Sequence, residues 1–165
     1  MRSIVYATAS EEDLRELYEL EIKCFGEEAY SPHILLFYIK ISREGFVVAR
    51  DSETNKIIGY VIGLAEHGGR VGHVISLCVD PMYRRSGLAT SLMRLIEELF
   101  IKRNICLARL EVKVSNTPAI NLYKKLGYEI KGLLRKYYKD GSDAYIMTRT
   151  LCSKSESDLY SQDEE

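Results

Sequence analysis

An apolar segment that runs through a basic, glycine-containing turn into a helix constrains the fold more than any other feature of this chain. The segment HVISLCVD, residues 73–80, has the composition of a buried strand. The turn RRSGLAT follows at residues 84–90. Apolar residues then recur at helical spacing and predict one buried helix face, formed by Leu88, Leu92, Leu95, Ile96 and Leu99. A strand that leads directly into an amphipathic helix is typical of an α/β fold.

Strand and helix patterns also lie on both sides of this unit. Further strands are predicted at residues 3–7, 45–50, 57–66 and 108–114, and two more on either side of Asp140–Gly141, which is a hairpin turn signal. The predicted order of elements is β-α-α-β-β-β-α-β-α-β-β. We therefore expect a single α/β domain whose mixed central sheet is flanked by helices, with strand 73–80 as its buried central strand.

Capping signals predict where three of the helices begin. The sequence SEED at 10–13 is a capping box, and Ser31 followed by Pro32 predicts a second helix start. A third helix is predicted after Asn116 or Thr117. The first helix is expected to turn one apolar side inward, made of Leu14, Leu17, Tyr18, Ile22 and Phe25.

Length and composition indicate one globular domain. The chain has 165 residues, of which 46% are hydrophobic and 28% charged. The domain is expected to span residues 1–152, and the acidic segment 153–165 is expected to be a disordered tail. The formal net charge of −1 offers no support for a nucleic-acid or membrane partner. Because no apolar run reaches the roughly 20 residues that cross a bilayer, and no secretory segment is evident, we expect a cytoplasmic protein.

Neither the cysteines nor the histidines show the spacing of a metal site. No C-x-x-C pair occurs among the four cysteines, which are Cys24, Cys78, Cys106 and Cys152. Most of them lie in apolar contexts, so buried thiols are expected. The histidines are scattered at His33, His67 and His73. We predict no metal cofactor.

The basic turn has the chemistry of an anion-binding site. A helix N-terminus presents unpaired N–H groups and partial positive charge, and Gly87 lets an anion approach the backbone. Arg84 and Arg85 add charged donors. The turn follows a strand, where α/β folds place ligands, and it matches neither a P-loop nor G-x-G-x-x-G. A capped surface helix with exposed arginines is the alternative.

Two separated motifs resemble those of the GCN5-related N-acetyltransferases. The pattern Arg-x-x-Gly-x-Ala at 84–89 is similar to that family's acetyl-CoA signature, and EVKVSNTPAINLYKKLGY at 111–128 is similar to its second signature. The resemblance covers residues 3–151. The segments GHVISLCVDPMYRRSGLA and RKYYKDGSDAYIMTRTL look like those of archaeal protein N-terminal acetyltransferases, of the eukaryotic catalytic subunits and of the bacterial ribosomal-protein alanine acetyltransferases.

The resemblance implies transfer of an acetyl group from acetyl-CoA to the α-amino group of a protein or peptide, with no metal. In the family, a strand backbone bonds the pantetheine arm and the basic turn holds the pyrophosphate. Carried onto this sequence, the expected cofactor-binding residues are Leu77, Cys78, Val79, Arg84, Arg85, Ser86, Gly87, Leu88, Ala89, Thr90, Asn116 and Tyr123.

The resemblance also implies the catalytic residues. His73 and Glu111 match positions where such enzymes place a base or a water-holding residue, and Glu28 is a third candidate. Tyr123 matches a tyrosine near the CoA sulfur and is the expected general acid. A backbone N–H around Leu77 or Cys78 is the expected oxyanion donor. The alternatives are a strand-end histidine, an exposed ion-paired glutamate and a packed tyrosine.

Two loops are expected to bind the acceptor, and their candidate substrate-binding residues are Phe25, Glu28, Tyr30, Tyr137 and Tyr138. The expected partners are protein or peptide N-termini, including nascent or ribosomal proteins, with no nucleic acid and no membrane; the enzyme is expected to be a monomer or weak dimer. A lysine or small-amine acetyltransferase, and a non-catalytic acetyl-CoA-binding module, are the alternatives.

Overall fold

The structure is a computed structural model that describes residues 3–153. Within this range the strands are β1 (Ile4–Thr8), β2 (Phe46–Asp51), β3 (Ile57–Glu66), β4 (Val71–Val79), β5 (Leu107–Lys113), β6 (Glu129–Leu134) and β7 (Ala144–Thr150). The α-helices are α1 (Leu14–Phe25), α2 (Pro32–Ser42), α3 (Leu88–Lys102) and α4 (Thr117–Lys125). The predicted order of strands and helices is confirmed. The tail predicted for 153–165 lies, except for Ser153, outside the described residues.

One sheet organises the domain, with the strand order β1-β2-β3-β4-β5-β7-β6. β4 and β5 pair in parallel, whereas the other neighbouring strands pair in antiparallel fashion. A parallel pair needs a crossover connection, and α3 supplies it between β4 and β5. The mixed sheet expected from the sequence is therefore present, and β4 is its central strand.

Each face of the sheet has its own apolar core. One core joins α3 and α4 to the sheet, with Leu92, Ile96 and Leu110 fully buried. The other joins α1 and α2 to the sheet and contains Leu17 and Tyr60. Each such large apolar side chain contributes about 1.5–3 kcal/mol when it leaves water, so the helices are held mainly by these contacts.

The most buried strand is β3 rather than β4. Residues Ile57 to Gly63 are all buried, whereas Ile75, Ser76 and Leu77 in β4 are only partly buried. The strand predicted at 73–80 is thus central in the sheet, as expected, but the expectation that it is the most buried strand is wrong. The physical reason is that β4 and β5 separate after their first three paired residues, which leaves one edge of β4 uncovered.

Helix starts follow the predicted capping residues. Ser31 Oγ accepts a hydrogen bond from Ile34 N at 3.3 Å, and Asn116 Oδ1 accepts one from Ala119 N at 3.3 Å, which selects Asn116 over Thr117 as the cap. The Ser10 capping box is also present, but it begins a 3-10 turn, Glu11–Asp13, that leads into α1, whose own N-cap is Asp13. Within the described range, no helix is long and apolar enough to cross a membrane.

The predicted inward side of α1 is partly wrong. Leu17 is buried as expected, but Ile22 is 45% exposed, and the buried stripe instead includes Leu20 and Glu21. Because the buried stripe contains the Glu21 carboxylate, the spacing of apolar residues alone does not reveal it. In α3, the predicted face is confirmed for Leu88, Leu92 and Ile96, while Leu95 and Leu99 are only partly buried.

All four cysteines form disulfides, so the prediction of buried thiols was wrong. Cys24 pairs with Cys78 at a Cα–Cα distance of 6.0 Å, and Cys106 pairs with Cys152 at 4.9 Å. The partners are 54 and 46 residues apart in sequence, so no local sequence pattern indicates which cysteines pair. Only the fold brings the end of α1 against β4 and the ends of β5 and β7 together, within the ~4.4–6.8 Å that a disulfide requires.

Candidate active site

The centre of the sheet opens between β4 and β5. These strands pair only from Val71–Leu107 to His73–Arg109. Beyond that point β4 remains paired with β3 and β5 with β7. In the described part of the chain, the facing edges of β4 and β5 therefore lose their mutual ladder and present backbone groups to the gap. The predicted segment 77–79 lies on this open edge of β4.

The basic turn lies at the carboxyl end of β4, beside this gap. Gly87 is the N-cap of α3 with φ +82°, a conformation that glycine adopts without strain, and it provides no capping side chain. Ser91 N donates to Gly87 O at 3.0 Å, which begins the helical ladder. The N–H groups of residues 88–90 precede that first bond, as expected at a helix N-terminus.

The space in front of this helix end is open. A Cβ built on Gly87 would meet no heavy atom of residues 3–153 within 4 Å. Arg84 Nε donates to Val79 O at 3.3 Å, so this arginine is tied to the end of β4, and Arg85 is exposed. Free N–H donors, the positive end of the helix dipole and arginines together suit a phosphate group.

A compact cluster of charged side chains surrounds His73 at the point where β4 and β5 part. His73 Nδ1 lies 2.7 Å from Glu66 Oε1, and His73 Nε2 lies 2.5 Å from Glu111 Oε2. Arg109 Nη2 donates to Glu66 Oε2 at 3.0 Å. The side chains of His73 and Glu111 are each only 12% exposed. The two candidate bases are thus direct neighbours.

Strand register explains why these side chains meet. His73 lies beside Arg109 on β5 and opposite Leu64 on β3. Because side chains on a strand alternate between faces, Glu111 and Glu66 are diagonal neighbours of His73 on the same face of the sheet. That face is the one covered by α1 and α2.

The cluster shifts the pKa of His73. Burial by itself lowers this pKa, but the hydrogen bonds and negative charges of Glu111 and Glu66 outweigh it and raise the pKa above the ordinary value of 6.5. The charged imidazolium is therefore favoured at neutral pH.

Three predicted tyrosines converge on the same cluster from two loops. Tyr30 precedes α2, while Tyr137 and Tyr138 lie between β6 and β7 with their rings 5.0 Å apart. Burial raises the pKa of all three, to about 12 for Tyr138, and the nearby charge of Glu111 contributes to each increase. The three hydroxyl groups consequently stay protonated and can donate hydrogen bonds.

The two loops also contact each other. Lys139 N donates to Glu28 Oε2 at 3.4 Å. Lys113 Nζ lies 4.9 Å from the centre of the Tyr138 ring and 3.0 Å from Asp140 Oδ2. Glu28 thus lies beside the loop that carries Tyr138, whereas Phe25 packs, partly buried, against the core of α1 and α2.

Tyr123, the candidate general acid, lies on α4 and is 8% exposed. Its ring packs edge-to-face on Tyr128, with 5.9 Å between centroids, and the Tyr128 hydroxyl donates to Glu97 at 3.1 Å. Burial, and next the charge of Tyr138, raise the pKa of Tyr123. Its hydroxyl therefore keeps its proton at neutral pH.

Two acidic residues of this region, Glu66 and Glu21, were not among the site residues predicted from the sequence. Glu66 lies at the end of β3, and its place beside His73 requires the hairpin register across residues 67–70. Glu21 is buried and accepts a hydrogen bond from Tyr30 N at 2.9 Å through Oε1, while Oε2 has no hydrogen-bond partner in the part of the chain that the structure describes. Burial raises the pKa of Glu21 to about 7, with the Tyr30 hydrogen bond opposing the increase. Among residues 3–153, no group of three or more His, Cys, Asp or Glu side chains is arranged to hold a metal ion.

Known proteins are similar to this chain in sequence and in fold. Residues 14–128 match the Acetyltransferase (GNAT) family. An N-alpha-acetyltransferase from Sulfurisphaera tokodaii is 37% identical over 139 residues, covering 75% of this chain and 80% of that relative. Ard1 from Thermoplasma volcanium has a TM-score of 0.84 at 27% identity, over 91% of this chain and 99% of that chain. Naa20 from Chaetomium thermophilum, solved in complex with a bisubstrate analogue, has a TM-score of 0.79 at 26% identity, over 88% of this chain and 86% of that chain. These findings confirm the resemblance noted in the sequence: the chain belongs to the Acetyltransferase (GNAT) family.

Proposed function

We propose that this protein transfers the acetyl group of acetyl-CoA to the α-amino group of a protein or peptide N-terminus. The observation that carries the proposal is the His73–Glu111 pair, which lies where β4 and β5 part and close to tyrosines of both loops. The name of the relative from Sulfurisphaera tokodaii, an N-alpha-acetyltransferase, supports the same activity.

The residues around the gap fit acetyl-CoA, which supplies a thioester as the acetyl donor. The open edge of β4 at Leu77, Cys78 and Val79 would hold the pantetheine arm through backbone hydrogen bonds. The N–H groups at 87–90, with the arginines before them, would hold the pyrophosphate. The open space in front of Gly87 supports this assignment, because a phosphate needs close access to the backbone.

The His73–Glu111 pair is the proposed base. A peptide α-ammonium has a pKa of about 7.7–8.0, so a modest base removes its proton, directly or through one water. Lysine, with a pKa of about 10.4, would demand a stronger base. Glu28 is the third candidate for this role, since it lies in the neighbouring loop.

Tyr123 is the proposed general acid for the leaving thiolate. Burial keeps its hydroxyl protonated at neutral pH, so the proton is available to the leaving thiolate, while the raised pKa makes the hydroxyl a weaker acid. A backbone N–H at Leu77 or Cys78 would donate to the thioester oxygen as negative charge develops there. Asn116, whose Oδ1 caps α4, is proposed to contact the pantetheine arm with its amide nitrogen.

The tyrosines of the two loops are the proposed acceptor-binding groups. Tyr30, Tyr137 and Tyr138 would donate hydrogen bonds to the peptide backbone, and Phe25 and Glu28 would line the entry. We propose nascent or ribosomal proteins among the substrates, and a monomer or weak dimer as the active form.

We further propose a cytoplasmic location, where protein N-termini emerge during synthesis. Disulfides are rare in the cytosol of mesophiles and frequent in intracellular proteins of hyperthermophiles. A cytoplasmic chain with two disulfides is more typical of a host of the second kind.

Release of CoA thiol tests the activity. The protein is incubated with acetyl-CoA and a short lysine-containing peptide, or with the same peptide blocked at its N-terminus. We expect thiol release with the free peptide only. Equal release with both peptides would instead indicate a lysine acetyltransferase, and release with small amines alone a small-amine enzyme. Acetyl-CoA binding without transfer to any amine would indicate a binding module.

A further inference from the structure

We propose that Glu66 is a positioning residue of the active site: its carboxylate holds neutral His73 in the tautomer with the proton on Nδ1, which leaves Nε2 to exchange the proton of the reaction. The role of Glu66 in catalysis rests on the proposed function. The tautomer of His73 does not depend on it.

The contacts of His73 limit where its protons lie. An ionised carboxylate accepts hydrogen bonds but donates none. Since Glu66 Oε1 is 2.7 Å from Nδ1 and Glu111 Oε2 is 2.5 Å from Nε2, each contact needs a proton. The resting imidazole is therefore an imidazolium held between two carboxylates. To act as a base, the cluster must first lose one of these two protons.

Arg109 determines which proton leaves. Its Nη2 donates to Glu66 Oε2 at 3.0 Å, whereas its Nε is 3.4 Å from Glu111 Oε1 and makes no hydrogen bond within the described residues. A hydrogen bond from a guanidinium stabilises the ionised carboxylate and makes it less basic. Arg109 Nη2, which also lies 3.4 Å from His73 Nδ1, occupies Glu66 Oε2 but makes no hydrogen bond to Glu111 within the described residues, so we infer that the Nε2 proton passes to Glu111 and the Nδ1 proton stays on the imidazole.

The tyrosines near the cluster are neutral at working pH. Tyr38 on α2 faces Glu66, while Tyr30 and Tyr137 face Glu111 from the two loops. Burial is the main cause that raises the pKa of each tyrosine, so their hydroxyls stay protonated. The charged side chains in direct contact with His73 are those of Glu66, Glu111 and Arg109.

This arrangement gives Glu66 the role of an orienting carboxylate. A carboxylate on Nδ1 fixes the tautomer and stabilises the imidazolium that forms, without itself taking the proton. The α-ammonium of the acceptor would release its proton through water or Glu111 to Nε2 of His73. The amine becomes neutral, His73 becomes the imidazolium, and the Nε2 proton returns to solvent before the next turnover.

Nitrogen NMR of the wild-type protein, labelled with ¹⁵N at histidine, tests the tautomer directly. Above the pKa of His73, we expect a protonated Nδ1 and an unprotonated Nε2. A neutral imidazole that carries its proton on Nε2 would overturn the proposal. Because this measurement needs no acetyl transfer, it decides the tautomer even if the proposed function fails.

Kinetics of Glu66→Gln test the consequence for turnover. Gln keeps the shape of the side chain and loses its charge, so we expect kcat to fall about 10-fold or more. The acid limb of the pH profile should move down by about 1 pH unit, with the KM for acetyl-CoA unchanged. Glu66→Asp, which keeps the charge, should keep the acid limb close to that of wild type.

Glu44→Gln is the matched control, because Glu44 is an exposed glutamate whose partner, Arg103, lies outside the site. We expect wild-type kinetics for it. Unchanged kcat and acid limb in Glu66→Gln would overturn the proposal while leaving the transfer activity of the wild type in place. If Glu66→Gln does not fold, the tautomer measurement on the wild type remains decisive.

Discussion

The backbone N–H of Lys139 donates a hydrogen bond to the side chain of Glu28, across 3.4 Å and 111 residues of sequence. This contact joins the loop before α2 to the loop between β6 and β7. Both loops carry the proposed acceptor-binding tyrosines. The contact is exposed, so it restrains the two loops relative to each other without locking them together.

Glu28→Ala should weaken acceptor binding because it removes the restraint between the loops. We expect the KM for peptide to rise roughly fivefold, as for loss of about 1 kcal/mol, with little change in the KM for acetyl-CoA. Steady-state kinetics with each substrate varied measures this. Glu27→Ala is the control and should behave like wild type. A large loss of kcat with unchanged peptide KM would instead make Glu28 the base.

Gly87→Asp should abolish most binding of acetyl-CoA. The new carboxylate would enter the space where we propose the pyrophosphate, and repulsion in this setting is worth on the order of 100-fold in affinity. Gly87→Asn is the control, because Asn has the same shape and meets the same backbone requirement at φ +82° but carries no charge. Calorimetry that gives equal affinities for the Asp and Asn variants would argue against a phosphate site here.

The double variant His73→Ala with Glu111→Gln should lose turnover and keep cofactor affinity. Both side chains belong to the proposed base and neither lies in the basic turn, so we expect kcat to fall about 10²–10⁴-fold. Binding of acetyl-CoA by calorimetry should change little. If turnover survives, the base lies elsewhere, and Glu28 is the next candidate.

Glu21 should make stability depend on pH. Its pKa rises on folding from 4.5 to about 7 because burial disfavours the ionised form. Folding therefore favours the protonated carboxyl. Below pH 4.5 Glu21 does not lower the free energy of unfolding, and this free energy falls as pH rises through the pKa of the folded state. Relative to Glu21→Gln, the wild type should lose about 3 kcal/mol of unfolding free energy between pH 4.5 and 7.

Urea unfolding of both proteins across this pH range measures the difference. Glu19→Gln, a change at an exposed residue of the same helix, is the control and should parallel the wild type. A constant difference between wild type and Glu21→Gln would show that Glu21 remains ionised in the folded protein.

The Cys24–Cys78 disulfide should stabilise the fold. It closes a loop of 54 residues, for which the loss of chain entropy in the unfolded state corresponds to about 4 kcal/mol. The double variant Cys24→Ala with Cys78→Ala should therefore unfold at lower temperature in calorimetry. The wild-type protein should also unfold at lower temperature under reducing conditions. An unchanged melting temperature in both would mean that this crosslink contributes nothing to stability.

Local sequence was sufficient for the order of elements, the caps and the basic turn. Alternation along β5 separated Arg109 and Glu111 from the buried Leu110, because the side-chain period of a strand is a local property. The helix start at Leu88 follows from residues next to one another in the chain. These local signals, with two spaced motifs, were enough to recognise the family.

The tertiary structure decided what depends on distant residues meeting. Glu66 reaches His73 only through the register of a bulged hairpin, and the Cys24–Cys78 pair forms only because α1 packs across β4. Glu21 is buried because the stripe of α1 that packs inward includes a carboxylate, which no apolar pattern reveals. The sequence by itself determined the family, the elements and the candidate bases; packing, register and burial set their partners and protonation, since these depend on which surfaces the folded chain brings together.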